Sequence, residues 1–415
     1  MTLTDEQQQA LDMVKSSRIS ILTGAPGVGK TYTLKAVLEW AESNKMTVDM
    51  ASPTGKAARQ MYSATGYQAS TIHRLLMPRM GSNGNFVFQH NEKNQLDIDL
   101  LVIDEASMIT NGLMASVLRA TDLKKTKLMI VGDHYQLPSI GAGAVLRDII
   151  ASDKIPCTEL TQIQRNSGDI VKACHKIKDG KYYKPSAKLD PDSGLNLRHL
   201  EMSSPQLIQQ TIKKIVCERM PLRGYDPIAD VQVLSPTNQR TILSCEGLNK
   251  VLQQKLNPNP AVDGTIFRKN DKVIYTKNEK LKTPEGSEEL IINGDMGKIV
   301  EVNTKRKHLI VRFDDPERVV VMPLKKNKLL LAYTITVHRF QGSESPVVVI
   351  PIHSSFNFFI NRSWLYTAIS RAQSICITVG EFDAVRQAIN WEIAAGRRTR
   401  LKEKLQKEIG NENQI

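Results

Sequence analysis

No apolar run in this sequence approaches the roughly 18 residues that a bilayer-crossing helix needs, so a membrane span is not expected. The opening Met1-Thr-Leu-Thr-Asp-Glu-Gln7 is polar and acidic, the reverse of a secretory leader. Five cysteines, at 157, 174, 217, 245 and 376, form no CxxC pair. That excludes a zinc or disulfide framework and points to reduced thiols in a cytoplasmic setting. Internal repeats and low-complexity tracts are missing as well. Acidic residues run short: 43 stand against 56 basic ones, for a net charge of +13 and a pI near 9.4. A surplus of this size is the footprint of a protein that neutralises phosphates, although basic proteins without nucleic-acid partners share it. The 415 residues, 41% hydrophobic and 24% charged, fit two or three ordinary globular domains.

What is present is concentrated chemistry. Residues 24–31 read Gly-Ala-Pro-Gly-Val-Gly-Lys-Thr, a G-x-x-x-x-G-K-[ST] loop. Its glycines let consecutive backbone N–H groups curl around a phosphate with no Cβ in the way. Gly24, Ala25, Pro26, Gly27, Val28 and Gly29 form the cradle, Lys30 reaches the β- and γ-phosphates, and the Thr31 hydroxyl can ligate Mg²⁺, with Tyr32 adjoining. Ile19–Thr23 alternates like a strand before the loop, and Leu34, Val37, Leu38 and Ala41 have helical spacing after it. The loop therefore opens a helix N-terminus, which favours an anion.

Leu100–Ile103 is a continuous apolar run, the mark of a buried parallel strand, and it ends in Asp104-Glu105. By itself such a pair is as often a solvated acidic turn. Beside a phosphate loop, Asp104 can hold Mg²⁺ and Glu105 can activate water, which reads as nucleoside triphosphate hydrolysis rather than passive binding.

Strand and helix patterns alternate from residue 19 to about 160, giving an α/β domain with a parallel sheet over residues 1–160. The alternation breaks between Pro78 and Asp99, where Gly81–Gly84 leads into a small hairpin around Asn85–Asn91. A second α/β domain is expected over 161–264 and 332–385, with Leu329–Thr336 as the strand that resumes it. Between its halves, residues 265–331 carry short strand-like pieces, 15 basic and 10 acidic residues, and read as a small inserted β-barrel. Residues 386–415 form a basic tail in which Leu401, Leu405 and Ile409 make a helical stripe. A helix packed on the body and a DNA- or partner-docking tail are both open readings.

Val131–Ser139 follows a strand, and Gln136 within it can touch a γ-phosphate and report its loss. Arg165 and Arg371 follow element ends in the second half. Each can serve as an arginine finger, worth about 10³–10⁵ in rate, or as a surface ion-pair partner.

These segments together resemble the superfamily 1B DNA helicases of the RecD and Dda type. The resemblance rests on Leu3-Thr-Asp-Glu-Gln-Gln8, the phosphate loop, Ala51-Ser-Pro-Thr-Gly-Lys-Ala-Ala58, Ser70-Thr-Ile-His-Arg-Leu75, Asp104-Glu-Ala-Ser-Met108 and Gly132-Asp-His-Tyr-Gln-Leu-Pro138. It continues through Tyr333-Thr-Ile-Thr-Val-His-Arg-Phe-Gln-Gly-Ser-Glu344 and Leu365-Tyr-Thr-Ala-Ile-Ser-Arg-Ala372, in the family's order over residues 3–380.

The resemblance implies an α/β fold of two RecA-like P-loop NTPase motor domains with ATP between them. A pin-like hairpin insertion at 78–99 in the first and a Src-homology-3-like barrel at 265–331 in the second would complete it. Gln7 would read the adenine. Lys30, Thr31, Asp104, Glu105 and Gln136 would serve from the first domain, and Arg165 and Arg371 from the second. Gln341, Gly342 and Glu344 would link nucleotide to track. Thr54, Thr71, His73, Thr336 and His338 would face the DNA; Phe86 and Phe88 would stack on the end base pair or form the hairpin's own core.

The implied activity is an ATP- and Mg²⁺-dependent helicase on single-stranded DNA and single/double-strand junctions, moving 5′ to 3′ in a bacterial or phage-infected cell. A motor that strips proteins from DNA, or a nucleotide-switched adaptor for replication or recombination proteins, are the alternatives. No nuclease constellation stands outside the motor motifs. Three departures from the family pattern are Arg339-Phe340 in place of Lys-Ser, a short pin, and no long N-terminal extension before Leu3, as in a compact phage-type motor.

Overall fold

The computed structural model describes residues 2–80, 86–162, 168–260, 262, 264–314, 317–325, 327–392 and 399–412. The chain divides into two compact units, Met1–Ser167 with Glu392–Ile415, and Gly168–Trp391.

The first unit opens with helix α1 (Asp5–Ser16). Its capping box pairs the Thr4 hydroxyl with the Gln7 amide, and the Gln7 side-chain carbonyl with the Thr4 amide. Strand β1 (Ile19–Gly24), helix α2 (Lys30–Ser43), strand β2 (Val48–Ser52), helix α3 (Gly55–Thr65), strand β3 (Ala69–Thr71) and the single turn α4 (Ile72–Leu75) follow. A hairpin pairs β4 (Pro78–Met80) with β5 (Phe86–Phe88), so its strands flank 81–85 instead of both lying within 85–91. Strand β6 (Leu100–Ile103), helix α5 (Asn111–Ala120), strand β7 (Lys127–Gly132), helix α6 (Val145–Ser152) and strand β8 (Cys157–Leu160) complete the unit. Its six-stranded sheet is parallel throughout, in the order β3-β2-β6-β7-β1-β8. Apolar residues of β1, β2, β6 and β7 pack with α5 and α6 into one core containing Ile21, Leu101, Ile103, Ile130, Met114 and Leu146.

The second unit runs from helix α7 (Asp169–Lys178) to strand β9 (Leu197–Glu201), helix α8 (Pro205–Lys214), strand β10 (Val231–Ser235) and helix α9 (Cys245–Leu256). One π-helical turn, Ile215–Arg219, extends α8. Strands β11 (Lys272–Tyr275), β12 (Glu279–Lys282), β13 (Glu288–Ile291), β14 (Met296–Asn303), β15 (His308–Phe313), β16 (Arg318–Pro323) and β17 (Leu329–Leu331) come next. Five of these form an antiparallel sheet, β16-β15-β14-β11-β17, around Phe313, Tyr275, Ile299 and Val311; β12 and β13 pair as a separate hairpin. The expected single strand Leu329–Thr336 is thus two. Leu329–Leu331 pairs with β11, whereas β18 (Thr334–Thr336) pairs with β10 in the other sheet. The buried Asn249 amide fixes that crossover, holding the Leu331 carbonyl at 3.2 Å and both backbone groups of Thr334 at 2.8 Å.

The turn α10 (Val337–Phe340), strand β19 (Ser345–Ile352), helix α11 (Arg362–Ser370), strand β20 (Ala372–Gly380) and helix α12 (Phe382–Asn390) finish the unit, whose parallel sheet runs β18-β10-β19-β20-β9. Helix α13 (Leu401–Glu412) belongs to the first unit, where Leu401 and Leu405 pack against the core beside α6. An apolar cavity of about 370 Å³ remains between α13 and the wall of Met114, Leu118, Ile149 and Ile155. The tail arginines 397 and 398 and the Ile409 side chain lie outside the described residues. Among the described residues, no helix is long and apolar enough to cross a membrane.

Candidate nucleotide site and nucleic-acid face

Strand order decides which segments meet. β1, β7 and β6 are consecutive neighbours, so the loops leaving their carboxyl ends lie side by side in the first unit. These are the phosphate loop, the Asp133–Gln136 turn and Asp104-Glu105.

Gly24 is obligatory on local grounds: a Cβ there would stand 2.7 Å from the Leu160 carbonyl oxygen and 2.9 Å from the Val28 side chain. Gly27 and Gly29 have φ of 77° and 90°, which curls the loop, and Gly29 caps α2 without a side-chain bond. The Lys30 ammonium donates to the carbonyl oxygens of Gly24 at 2.6 Å and Ala25 at 3.0 Å. Thr31 is exposed on the first turn of α2. The Tyr32 hydroxyl bonds the Thr2 carbonyl at 3.4 Å, and Gln7 is buried in its capping box with its amide hydrogens left outside the box.

Glu105 has φ 53°, a left-handed conformation rare for a non-glycine residue. Its amide donates to the Asp104 carboxylate at 2.7 Å. Desolvation at the end of β6, then the Glu105 charge, push the Asp104 carboxyl well above its ordinary range, while Lys30 pulls the other way. Gly132 presses on this turn, since a Cβ there would lie 3.1 Å from the Ala106 nitrogen and 2.9 Å from Leu146. Gln136 is buried, and its amide donates to Asp133 at 3.4 Å. Its Oε1 has no hydrogen-bond partner among the described residues.

All three threonines expected to face DNA share one arrangement. Thr54, Thr71 and Thr336 end or follow β2, β3 and β18, and each hydroxyl caps the next helix. They accept from Ala57 at 3.2 Å, Arg74 at 3.1 Å and Arg339 at 3.4 Å. A capping hydroxyl accepts with one lone pair and keeps its O–H for another acceptor. The His73 ring lies 5.9 Å from that of Phe88, and desolvation lowers its pKa. Phe88 packs against the first unit's core, and the side chain of Phe86 lies outside the described residues. His338 is exposed on α10.

In the second unit, Arg371 is buried at the end of α11 and donates to the Ser343 carbonyl at 3.4 Å. The structure therefore brings Arg371 to the loop of Gln341, Gly342 and Glu344. Gln341 is buried, Gly342 has φ 67°, and Glu344 is exposed and takes a 3.2 Å bond from Gln373. Arg165 lies outside the described residues. Sequence reasoning missed two pairings: Arg339 with Asn238 at 3.1 Å, and His134 with Thr23 at 3.0 Å. Partners 101 and 111 residues apart leave no local signal.

Family models match three stretches of the chain: an AAA domain over residues 2–193, an ATP-dependent RecD-like DNA helicase SH3 domain over 248–313, and a UvrD-like helicase C-terminal domain over 331–379. The ATP-dependent RecD2 DNA helicase of Deinococcus radiodurans is 35% identical over 401 residues, covering 95% of this chain and 50% of that protein. The chain thus spans about half the length of that relative. The RecBCD enzyme subunit RecD of Mycolicibacterium smegmatis is 27% identical, covering 96% of this chain and 75% of the relative. The crystal structure of Bacteroides Pif1 bound to single-stranded DNA shares the fold, with a TM-score of 0.53 at 18% identity over 95% of this chain and 96% of that one.

Proposed function

We propose that this chain, which carries the motif order of the RecD-like superfamily 1B helicases, is an ATP- and Mg²⁺-dependent DNA helicase. It tracks 5′ to 3′ along single-stranded DNA and opens the duplex at single/double-strand junctions, in replication, recombination or repair. The observation that carries this reading is the meeting of the phosphate loop, Asp104-Glu105 and Gln136 at three adjacent strand ends. The names of its relatives, a DNA helicase and a protein solved on single-stranded DNA, agree with it.

The loop amides and the start of α2 receive the triphosphate, and Lys30 exchanges the Gly24 and Ala25 carbonyls for phosphate oxygens. Thr31 and Asp104 are the residues that would hold Mg²⁺. The donor set fits, because this ion takes one or two protein oxygens and fills its shell with phosphate and water. When bound, it neutralises charge on the β- and γ-oxygens. Glu105 orients the attacking water and takes its proton. Gln136 registers the γ-phosphate, and Arg371 and Arg165 are the candidates for guanidinium charge in the transition state. The O–H groups of Thr54, Thr71 and Thr336 meet phosphates and not base edges, which suits a sequence-independent track.

The test is strand separation of 5′-tailed against 3′-tailed duplexes with ATP. Opening of the 5′-tailed substrate alone is expected. DNA-stimulated turnover without separation would favour a protein-stripping motor, and binding without turnover a nucleotide-switched adaptor.

A further inference from the structure

Gly132, Thr23 and Glu159 lie in one register row across β7, β1 and β8. The turn that leaves β7 after Gly132 doubles back over this row. His134 Nδ1 shares a 3.0 Å hydrogen bond with the Thr23 hydroxyl, on the strand next door. The Tyr135 ring lies against that of His134, with centroids 4.0 Å apart, and its hydroxyl points to Glu159 on the strand beyond, at 3.5 Å. Thr23 is 1% exposed and immediately precedes Gly24, the first glycine of the phosphate loop. On the other side, His134 is two residues from Gln136, whose amide shares Asp133 with the Tyr135 backbone.

We propose that His134 is a positioning residue that fastens the Gln136 turn to the base of the phosphate loop through Thr23. The inference rests on the ATP-hydrolysing reading above. The Asp133 contacts to Tyr135 and Gln136 are internal to the turn. β7 pairs with β1 as far as Gly132, and the His134–Thr23 bond carries that attachment into the turn itself. A buried hydroxyl and a ring nitrogen at 3.0 Å form a directional contact, and the tilted Tyr135 ring packs on the same imidazole, 4.0 Å away between centroids. Displacement of Gln136 by a γ-phosphate then acts on the end of β1, and movement of the phosphate loop acts on Gln136. ATP binds through the loop whether or not the tie exists. The tie governs how well Gln136 is placed when the γ-phosphoryl group is transferred, so it belongs to turnover more than to affinity.

The experiment is a double-mutant cycle on the full chain with saturating single-stranded DNA. His134→Phe keeps a ring against Tyr135 and removes Nδ1. Thr23→Val keeps the shape and removes the hydroxyl. Each is expected to lower kcat for ATP about five- to tenfold, the scale of one lost internal hydrogen bond, with KM changed less than about twofold. The double variant should fall no further than either single one. His134→Asn, which offers an amide near the Nδ1 position, should recover most of the loss. Parental kcat in His134→Phe, or losses that multiply in the double variant, would overturn the tie. Hydrogen exchange at the amides of Asp133–Gln136 gives a second readout independent of turnover: faster exchange in both single variants and not in His134→Asn supports the tie, and unchanged exchange overturns it. If the parental chain itself fails to hydrolyse ATP, the functional reading fails, and exchange still decides the tie.

Discussion

The Lys30 ammonium lies 2.6 Å from the Gly24 carbonyl oxygen, so the loop's only lysine is held by the backbone that surrounds the phosphate position. Lys30→Ala removes the charge without touching the φ > 0 glycines that shape the loop. ATP turnover should fall by roughly 10²-fold or more, by analogy with loss of a transition-state donor, while the circular dichroism spectrum stays parental. Turnover within a few-fold of the parental rate would remove Lys30 from the site.

Gly132→Ala tests how closely the β6 and β7 exits are packed. The new methyl would sit 3.1 Å from the Ala106 nitrogen and 2.9 Å from Leu146, one residue from the left-handed Glu105. Overpacking of this kind costs about 1–3 kcal/mol. A lower melting temperature and a lower kcat should appear together, because relief of the clash moves the Glu105 turn. A drop in stability with kcat intact would separate Gly132 from the chemistry.

The raised pKa of Asp104 makes a signed prediction for the protein without nucleotide or metal. A carboxyl with a raised folded pKa keeps a proton that the unfolded chain has already lost. Its contribution to stability is therefore best at low pH and is lost as pH rises from the ordinary carboxylate value through the raised one. Asp104→Asn removes that loss. The variant should melt higher than the parental protein at pH 8, converge with it only near the ordinary carboxylate value of about 4, and hydrolyse no ATP. A variant that melts lower at pH 8 would show the carboxylate to be stabilised by its surroundings, not crowded by them.

Much of this arrangement was legible in the sequence because it is local. Residues 24–31 carry their own strand, turn and helix start, and Leu100–Ile103 is too continuously apolar to be anything but a buried strand. Leu329–Thr336 misled for the same reason. Apolar character does not reveal that Leu331 ends a strand of one sheet and Thr334 begins a strand of another, a division bridged by Asn249 from 82 and 85 residues upstream. Strand β9 escaped notice because Leu197-Arg-His-Leu-Glu201 is mostly polar, as an edge strand can be. His134 gave no signal either, since a histidine in a turn has meaning only once Thr23 is beside it.

Helix α13 separates the two readings of the basic tail. Leu401 and Leu405 face the first unit's core, and Lys402, Glu403, Lys404 and Lys407 are exposed. Leu401→Asp with Leu405→Asp should destabilise the protein by roughly 2–4 kcal/mol in a denaturant titration. Lys402→Glu with Lys407→Glu should leave stability within about 0.5 kcal/mol, as surface changes usually do. If the charge reversal instead weakens single-strand affinity severalfold while stability holds, the helix also serves as a DNA contact.

The capping threonines allow structure and DNA contact to be pulled apart at a single atom. At Thr54 the hydroxyl oxygen accepts the Ala57 amide, so the helix needs an acceptor there and nothing more. A phosphate needs the hydroxyl hydrogen. Aspartate is among the best N-caps, and its charge suits a helix N-terminus, so Thr54→Asp should keep or slightly raise the melting temperature. The same carboxylate has no proton to donate and repels a phosphate. Affinity for an oligo-dT strand, measured by fluorescence anisotropy without nucleotide, should drop by about tenfold or more and become less salt-dependent. Thr54→Ser retains both acceptor and donor and should match the parental protein in both measurements. Thr54→Val, lacking both, should lose about 1 kcal/mol of stability as well as affinity. Parental DNA affinity in a well-folded Thr54→Asp protein would leave Thr54 as a helix cap and take it off the track.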